Sequence, residues 1–226
     1  MKAPLIGVIG GMGTMATAAF YEKLHSLQDV TTEQEFIDVI IYSKPSIPDR
    51  TEFILGRNKE SPLCALIEAA KILENAGAAI LVLPCMTSHF FYDELVKEVR
   101  TKLINLPDEV VKAVSANGFK KVGLLATEGA IKGKILQDKF EKSGIETVIP
   151  GVKAQEKLTK IIYGIKKGKQ PAIGLPADVT AELTGKGAQA IVLGCTELCI
   201  GTVEGKNYIN TLDILAETTL RESDRQ

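Results

Sequence analysis

Ala79-Ile80-Leu81-Val82-Leu83-Pro84-Cys85-Met86-Thr87-Ser88-His89 and Ala190-Ile191-Val192-Leu193-Gly194-Cys195-Thr196-Glu197-Leu198 repeat one pattern 110 positions apart: an apolar run, a Cys, then small polar residues. A short apolar run closed by a turn signal reads as a buried strand of an α/β sheet. Ligands of open α/β sheets bind outside the carboxyl ends of the strands. The pattern therefore predicts two thiols across one crevice, one from each copy. Two opposed thiols are able to remove a proton from one face of a carbon and return one to the other, which is the chemistry of a racemase.

Outward from these runs the chain alternates strands and helices. Leu5 to Ile9 reads as a strand, Gly10-Gly11-Met12-Gly13 as a tight turn and Met15 to Leu27 as a helix. Phe36 to Tyr42 is the next strand, followed by the loop Ser43-Lys44-Pro45-Ser46-Ile47-Pro48-Asp49-Arg50-Thr51, where two prolines exclude regular structure. An amphipathic helix over Ser61 to Ala76, a strand over Ala79 to Leu83 and a helix over His89 to Arg100 complete the first half. The second half is expected to run as strand Lys121 to Ala126, helix Ala130 to Ser143, strand Glu146 to Ile149, helices Ala154 to Lys167 and Pro171 to Lys186, strand Ala190 to Leu193 and helix Leu212 to Glu222. This is βαβ grammar, so the expected fold is α/β, with two pseudo-symmetric domains, each a mainly parallel sheet flanked by helices. A glycine precedes each Cys strand, at Gly77 and Gly187, which fits an internal duplication. The halves divide near Ile104 to Asp108 and the chain crosses back near Asn207 to Thr211, giving one domain of residues 1–104 with 210–226 and a second of 105–209. No linker rich in Pro, Gly or Ser separates them, so tight packing is expected.

Composition narrows the partners. The 226 residues carry 27 basic and 28 acidic side chains, a balance without the electrostatic footprint of a nucleic-acid or anionic-membrane binder. A small molecule is the expected partner. The apolar stretch Ala3 to Gly10 is too short to span a bilayer and runs into glycines instead of a cleavage site, which places the expected location in the cytoplasm. Four cysteines and two histidines, with spacings such as Cys195-x3-Cys199, form no zinc pattern, and reduced thiols are expected.

Gly10-Gly11-Met12-Gly13, Pro48-Asp49-Arg50-Thr51, Pro84-Cys85-x-Thr87 and Gly194-Cys195-Thr196-Glu197-Leu198, in this order, make the chain resemble the aspartate/glutamate racemase family over essentially its whole length. The resemblance implies an active site in the cleft between the two domains and racemisation without pyridoxal phosphate or metal, so no cofactor is expected. It makes Cys85 and Cys195 the two bases. It assigns Arg50 to the substrate's distal carboxylate, and Lys166 or its neighbour Lys167 to a second cationic contact. Met12, Met86, Thr87, Thr127 and Thr196 complete the expected substrate-binding set, and a homodimer is the expected assembly. The residue after the first Cys is commonly Asn in the family and is Met86 here, which points to a broader or more apolar range of amino acids. Thr14 stands where proline is usual.

The chemistry explains the residue types. A Cα proton beside an ammonium and a carboxylate is weakly acidic, so the site must stabilise carbanion character while one thiolate takes the proton and one thiol gives one. Helix-entry N–H groups after each Cys favour the thiolate or hold a carboxylate, and Thr87, Ser88 and Thr196 are placed either to cap those helices or to touch the ligand. Gly10-Gly11-Met12-Gly13 lacks the spacing and ribose-binding acid of a dinucleotide loop and reads as a cleft turn. His89 reads as a first-turn surface residue or a tuner of Cys85, Glu197 as a thiol orienter or helix cap, His25 as surface, and Cys64 and Cys199 as small buried apolar residues. Two alternatives use the same residues: a Cys-dependent isomerase or decarboxylase of small carboxylic acids, against which Arg50 argues, and a non-catalytic small-molecule binding protein.

Overall fold

The computed structural model describes residues 4–168, 175–201 and 207–224. The first half runs β1 (Ile6–Gly10), α1 (Thr14–Ser26), β2 (Val39–Ser43), α2 (Arg50–Ile54), α3 (Leu63–Asn75), β3 (Ile80–Val82), α4 (Tyr92–Glu98), β4 (Lys102–Leu103) and α5 (Leu106–Ala116). The second half runs β5 (Lys121–Leu125), α6 (Glu128–Lys132), α7 (Gln137–Lys142), β6 (Glu146–Val148), α8 (Val152–Lys166), α9 (Ala177–Gly185), β7 (Ala190–Leu193), β8 (Tyr208–Asn210) and α10 (Thr211–Ser223). Two sheets of four parallel strands result, ordered β2-β1-β3-β4 and β6-β5-β7-β8. The two halves thus share one topology, as the repeated Cys runs predict.

Burial on both faces explains the near-continuous apolar strands. Ile6, Val8, Ile80 and Val82 point into the larger apolar cluster, which continues through α1, α5, α10 and the second sheet. Ile9, Leu81 and Leu83 point the other way, into a smaller cluster under α3. The final helix α10 leaves the second sheet to lie along α1 and α5, so the halves are tied by apolar packing.

Several local expectations are corrected. The helix over Ala130 to Ser143 is broken into α6 and α7, because Gly133 lies against the Phe90 ring, with 2.8 Å for an added Cβ, and Lys134 turns into the left-handed region at φ 51°. The helix over His89 to Arg100 begins as a 3₁₀ turn, Met86–Phe91, before α4. The loop after β2 carries the short α2, nucleated by Asp49, whose Oδ1 accepts from the Thr51 and Glu52 N–H groups at 2.7 and 3.1 Å. The edge strands β4 and β8, of two and three residues, are too short to leave a periodic signal. Of the helix over Pro171 to Lys186, residues 169–174 lie outside the described residues and the remainder is α9. Cys64 is exposed, and His89 is buried.

Candidate active site

In a sheet ordered 2-1-3-4 the chain reverses direction between the first and third strands, and that switch point opens a crevice at their carboxyl ends. The crevice of the first sheet is bounded by the turn after β1, Gly11 to Gly13, and by Pro84 and Cys85 after β3. That of the second is bounded by Ala126 and Thr127 after β5, and by Gly194 and Cys195 after β7. The fold sets these two crevices against each other. Thr196 Oγ1 donates to the Pro84 carbonyl at 3.2 Å, so the residue after one Cys bonds the residue before the other. Thr87 and Thr127 hydroxyls meet at 2.9 Å, and the Gly13 N–H donates to Glu197 Oε1 at 3.0 Å. Gly11, at φ 92°, lies so close to the Lys44 backbone that an added Cβ would stand 2.6 Å away, which accounts for the glycine in this turn.

Both thiols are buried, Cys85 at 5% and Cys195 at 4% exposure. Cys195 Sγ donates to Glu197 Oε2 at 2.9 Å, within a carboxylate that is itself 2% exposed. Burial and then the adjacent Glu197 charge push the Cys195 thiol well up, against the opposing pull of Lys166. Cys195 therefore rests as the protonated thiol. Lys166 sits over the Tyr163 ring at 4.9 Å from its centre. Burial pulls its ammonium down, but Glu197, Cys195 and Cys85 outweigh that and hold it above the ordinary lysine value. One cation thus senses both thiols. Lys167 is exposed, so of the two lysines only Lys166 is turned into the site.

Arg50 is buried at 6% exposure on the first turn of α2. Its Nη1 donates to the Ile47 and Pro48 carbonyls at 3.1 and 2.8 Å, while Nε has no partner among the described residues. A buried donor without a partner is able to take an acceptor. Asp49 joins the two cations: its Oδ2 accepts from the Tyr163 hydroxyl at 3.1 Å, across the halves. Burial raises the Asp49 carboxyl, but Lys166, the Glu52 N–H and Arg50 hold it below its usual value. Burial and Asp49 together push Tyr163 up to about 12.

The two methionines of the expected substrate set are packed side chains. Met86 is 1% exposed within the larger apolar cluster, and Met12, 2% exposed, accepts from Ser88 Oγ at Sδ, 3.4 Å away. Thr127 also accepts from the Ala130 N–H at 3.1 Å and caps α6. Asp49 and Tyr163 were not reached from sequence. Asp49 leads Arg50-Thr51-Glu52 as an N-cap, which is a local signal in the sequence, whereas the Tyr163 contact crosses 114 positions and leaves no local trace. Among the described residues no group of three His, Cys, Asp or Glu side chains gathers as metal ligands, and no helix is long and apolar enough to cross a membrane.

Comparison with known proteins gives a consistent picture. A family profile described as Asp/Glu/Hydantoin racemase matches residues 9–214. The broad specificity amino-acid racemase RacX of Bacillus subtilis is 27% identical over 202 residues, 86% of either chain. The solved aspartate racemase of Picrophilus torridus superposes with a TM-score of 0.84 at 28% identity, over 98% of this chain and 94% of the other. An aspartate racemase homologue from Pyrococcus horikoshii superposes at 0.75 and 25% identity, over 99% of this chain and 100% of that one.

Proposed function

From the premise that the chain belongs to the Asp/Glu/Hydantoin racemase family, we propose that it interconverts the enantiomers of an acidic amino acid by proton transfer between Cys85 and Cys195, without a cofactor. The observation that carries this reading is the Thr196 to Pro84 bond, which holds the two Cys turns together beside one ammonium, Lys166. The Cys85 thiolate takes the Cα proton from one face while Cys195, kept protonated by Glu197, delivers its proton to the other. Electron density left on Cα spreads into the α-carboxylate, which N–H groups of the Cys turns and the Lys166 ammonium stabilise. The reverse reaction exchanges the roles of the thiols. Arg50, with its free Nε, receives the distal carboxylate. Met12, Met86, Thr87, Thr127 and Thr196 shape the surrounding wall. The kinship with a broad specificity racemase supports turnover beyond one amino acid, with acidic substrates preferred. Assembly as a homodimer in the cytoplasm belongs to the same proposal, with sedimentation and fractionation as its checks.

The test is an amino-acid panel in D2O, read by NMR for deuterium at Cα and by chiral chromatography for inversion. Aspartate or glutamate should exchange and invert faster than asparagine, glutamine or methionine, with chelators present. Cys85→Ser and Cys195→Ser should each abolish inversion, and Arg50→Ala should erase the preference for acidic substrates. Full inversion by either Ser variant, or dependence on added metal or pyridoxal phosphate, would overturn the reading.

A further inference from the structure

Each Cys carbonyl is tied, through the side chain four residues later, to the first residue of the helix that follows the fourth strand of its half. In the first half His89 Nδ1 lies 3.0 Å from the Cys85 carbonyl and His89 Nε2 lies 3.3 Å from the Leu106 nitrogen, at the start of α5. In the second half Cys199 Sγ lies 3.8 Å from the Cys195 carbonyl and 3.6 Å from Thr211 Oγ1, at the start of α10. The two ties differ in strength. A thiol at those distances is a weak partner, whereas the imidazole makes two hydrogen bonds in a plane. Because Leu106 N–H is a donor, Nε2 must accept and Nδ1–H must donate, which fixes one neutral tautomer. Burial, with His89 pulled down to about 4, keeps the ring in that neutral form at physiological pH. The ring is walled by Tyr92, stacked at 6.1 Å, with Asp108 and Lys139 as the charged groups that it senses.

The sulfurs are also held differently. Cys195 Sγ is fixed by Glu197, while Cys85 Sγ makes no hydrogen bond among the described residues and is directed by its backbone and by packing in the smaller apolar cluster. We propose that His89 is a positioning residue for Cys85: by clamping the Cys85 carbonyl to the N-terminus of α5 it aims the Cys85 thiol at the substrate carbon. This rests on the two-thiol racemase reading above.

The test compares His89→Ala, His89→Asn and His89→Gln in the full chain. The Ala variant should lose about 10-fold or more in kcat with KM within about 2-fold, the scale of a sub-ångström misplacement of a reacting group. The Asn variant, whose amide donates to the Cys85 carbonyl, and the Gln variant, whose longer side chain reaches towards Leu106, each keep one arm of the clamp and should recover only part of the rate. Since enantiomers have equal free energy, kcat/KM must fall equally in both directions, so the lesion is read from isotope effects. With Cα-deuterated substrates the primary effect should grow for the enantiomer that Cys85 deprotonates and shrink for its mirror image. A general loosening of the fold would slow both proton transfers and leave the two effects balanced. An Ala variant within about 2-fold of the parent in kcat, or a loss with balanced isotope effects in all three variants, overturns the role of His89. If the parent itself exchanges no Cα proton, the racemase reading fails separately. The positioning is then decided by iodoacetamide labelling with peptide mapping: His89→Ala should change the rate at Cys85 about 3-fold or more and leave Cys195 unchanged, and equal labelling overturns it.

Discussion

Replacing Glu197 by Gln removes a charge and keeps the shape, which isolates what the carboxylate does to Cys195. Gln retains an oxygen to accept from the Gly13 N–H and gains a donor facing Sγ, 2.9 Å away in the parent. A thiolate and a carboxylate charge about 4 Å apart at an effective dielectric of about 20 repel by about 4 kcal/mol. Lys166 already offsets a part of this repulsion, so a lower pKa for Cys195 is expected once the carboxylate charge is gone. The sign follows: a lower pKa makes Cys195 lose its proton at lower pH, so the acid required on that face of the substrate is depleted from a lower pH upwards. Ultraviolet thiolate absorbance and the pH dependence of iodoacetamide labelling at Cys195 should both move to lower pH, and the alkaline limb of the racemisation profile should follow them. A Cys195 midpoint that stays put or rises refutes the assignment of Glu197 as the group that keeps this thiol protonated.

Two further outcomes come from packing and burial. Gly129 lies against α2, where an added Cβ would stand 2.7 Å from Thr51 Cα, so Gly129→Ala should wedge α6 from α2 at a cost of about 1–3 kcal/mol, seen as a lower thermal midpoint and a raised KM through displaced Arg50. An unchanged midpoint would show that the contact yields without strain. His89, fully buried, titrates at about 4 instead of 6.5, so the unfolded chain binds the extra proton between those values and stability should fall as pH drops through that window, by at most about 3 kcal/mol. Thermal melts from pH 7 to 4 should show this slope in the parent and a weaker one in His89→Asn, and equal slopes would refute it.

The strands and both thiols were legible because their signals are local. A buried parallel strand must be apolar along its whole length, and each of these runs is closed by a Cys with a Thr within two residues, so β3 with Cys85 and β7 with Cys195 stand out in any window of ten residues. The same rule fails for β4 and β8, which are too short for periodicity, and for the helix that breaks at Gly133 because of a ring, Phe90, some forty positions earlier. The sequence left His89 between a surface residue and a tuner of Cys85, because a lone polar residue after a turn carries no record of what packs over it. Its two ring nitrogens are satisfied by backbone groups that come together only when α5 is laid across the turn.

The sequence by itself therefore determined the α/β grammar, the duplication and the pair of cysteines, since each depends on neighbours a few residues apart. Only the tertiary structure decided that Glu197 bonds Cys195, that Lys166 and not Lys167 faces the thiols, that Asp49 meets Tyr163, and that Arg50 keeps a free Nε. The physical reason is that protonation states and unmet hydrogen bonds depend on distance, burial and charge summed over groups far apart in the chain, and those sums exist only once the two crevices have closed on each other.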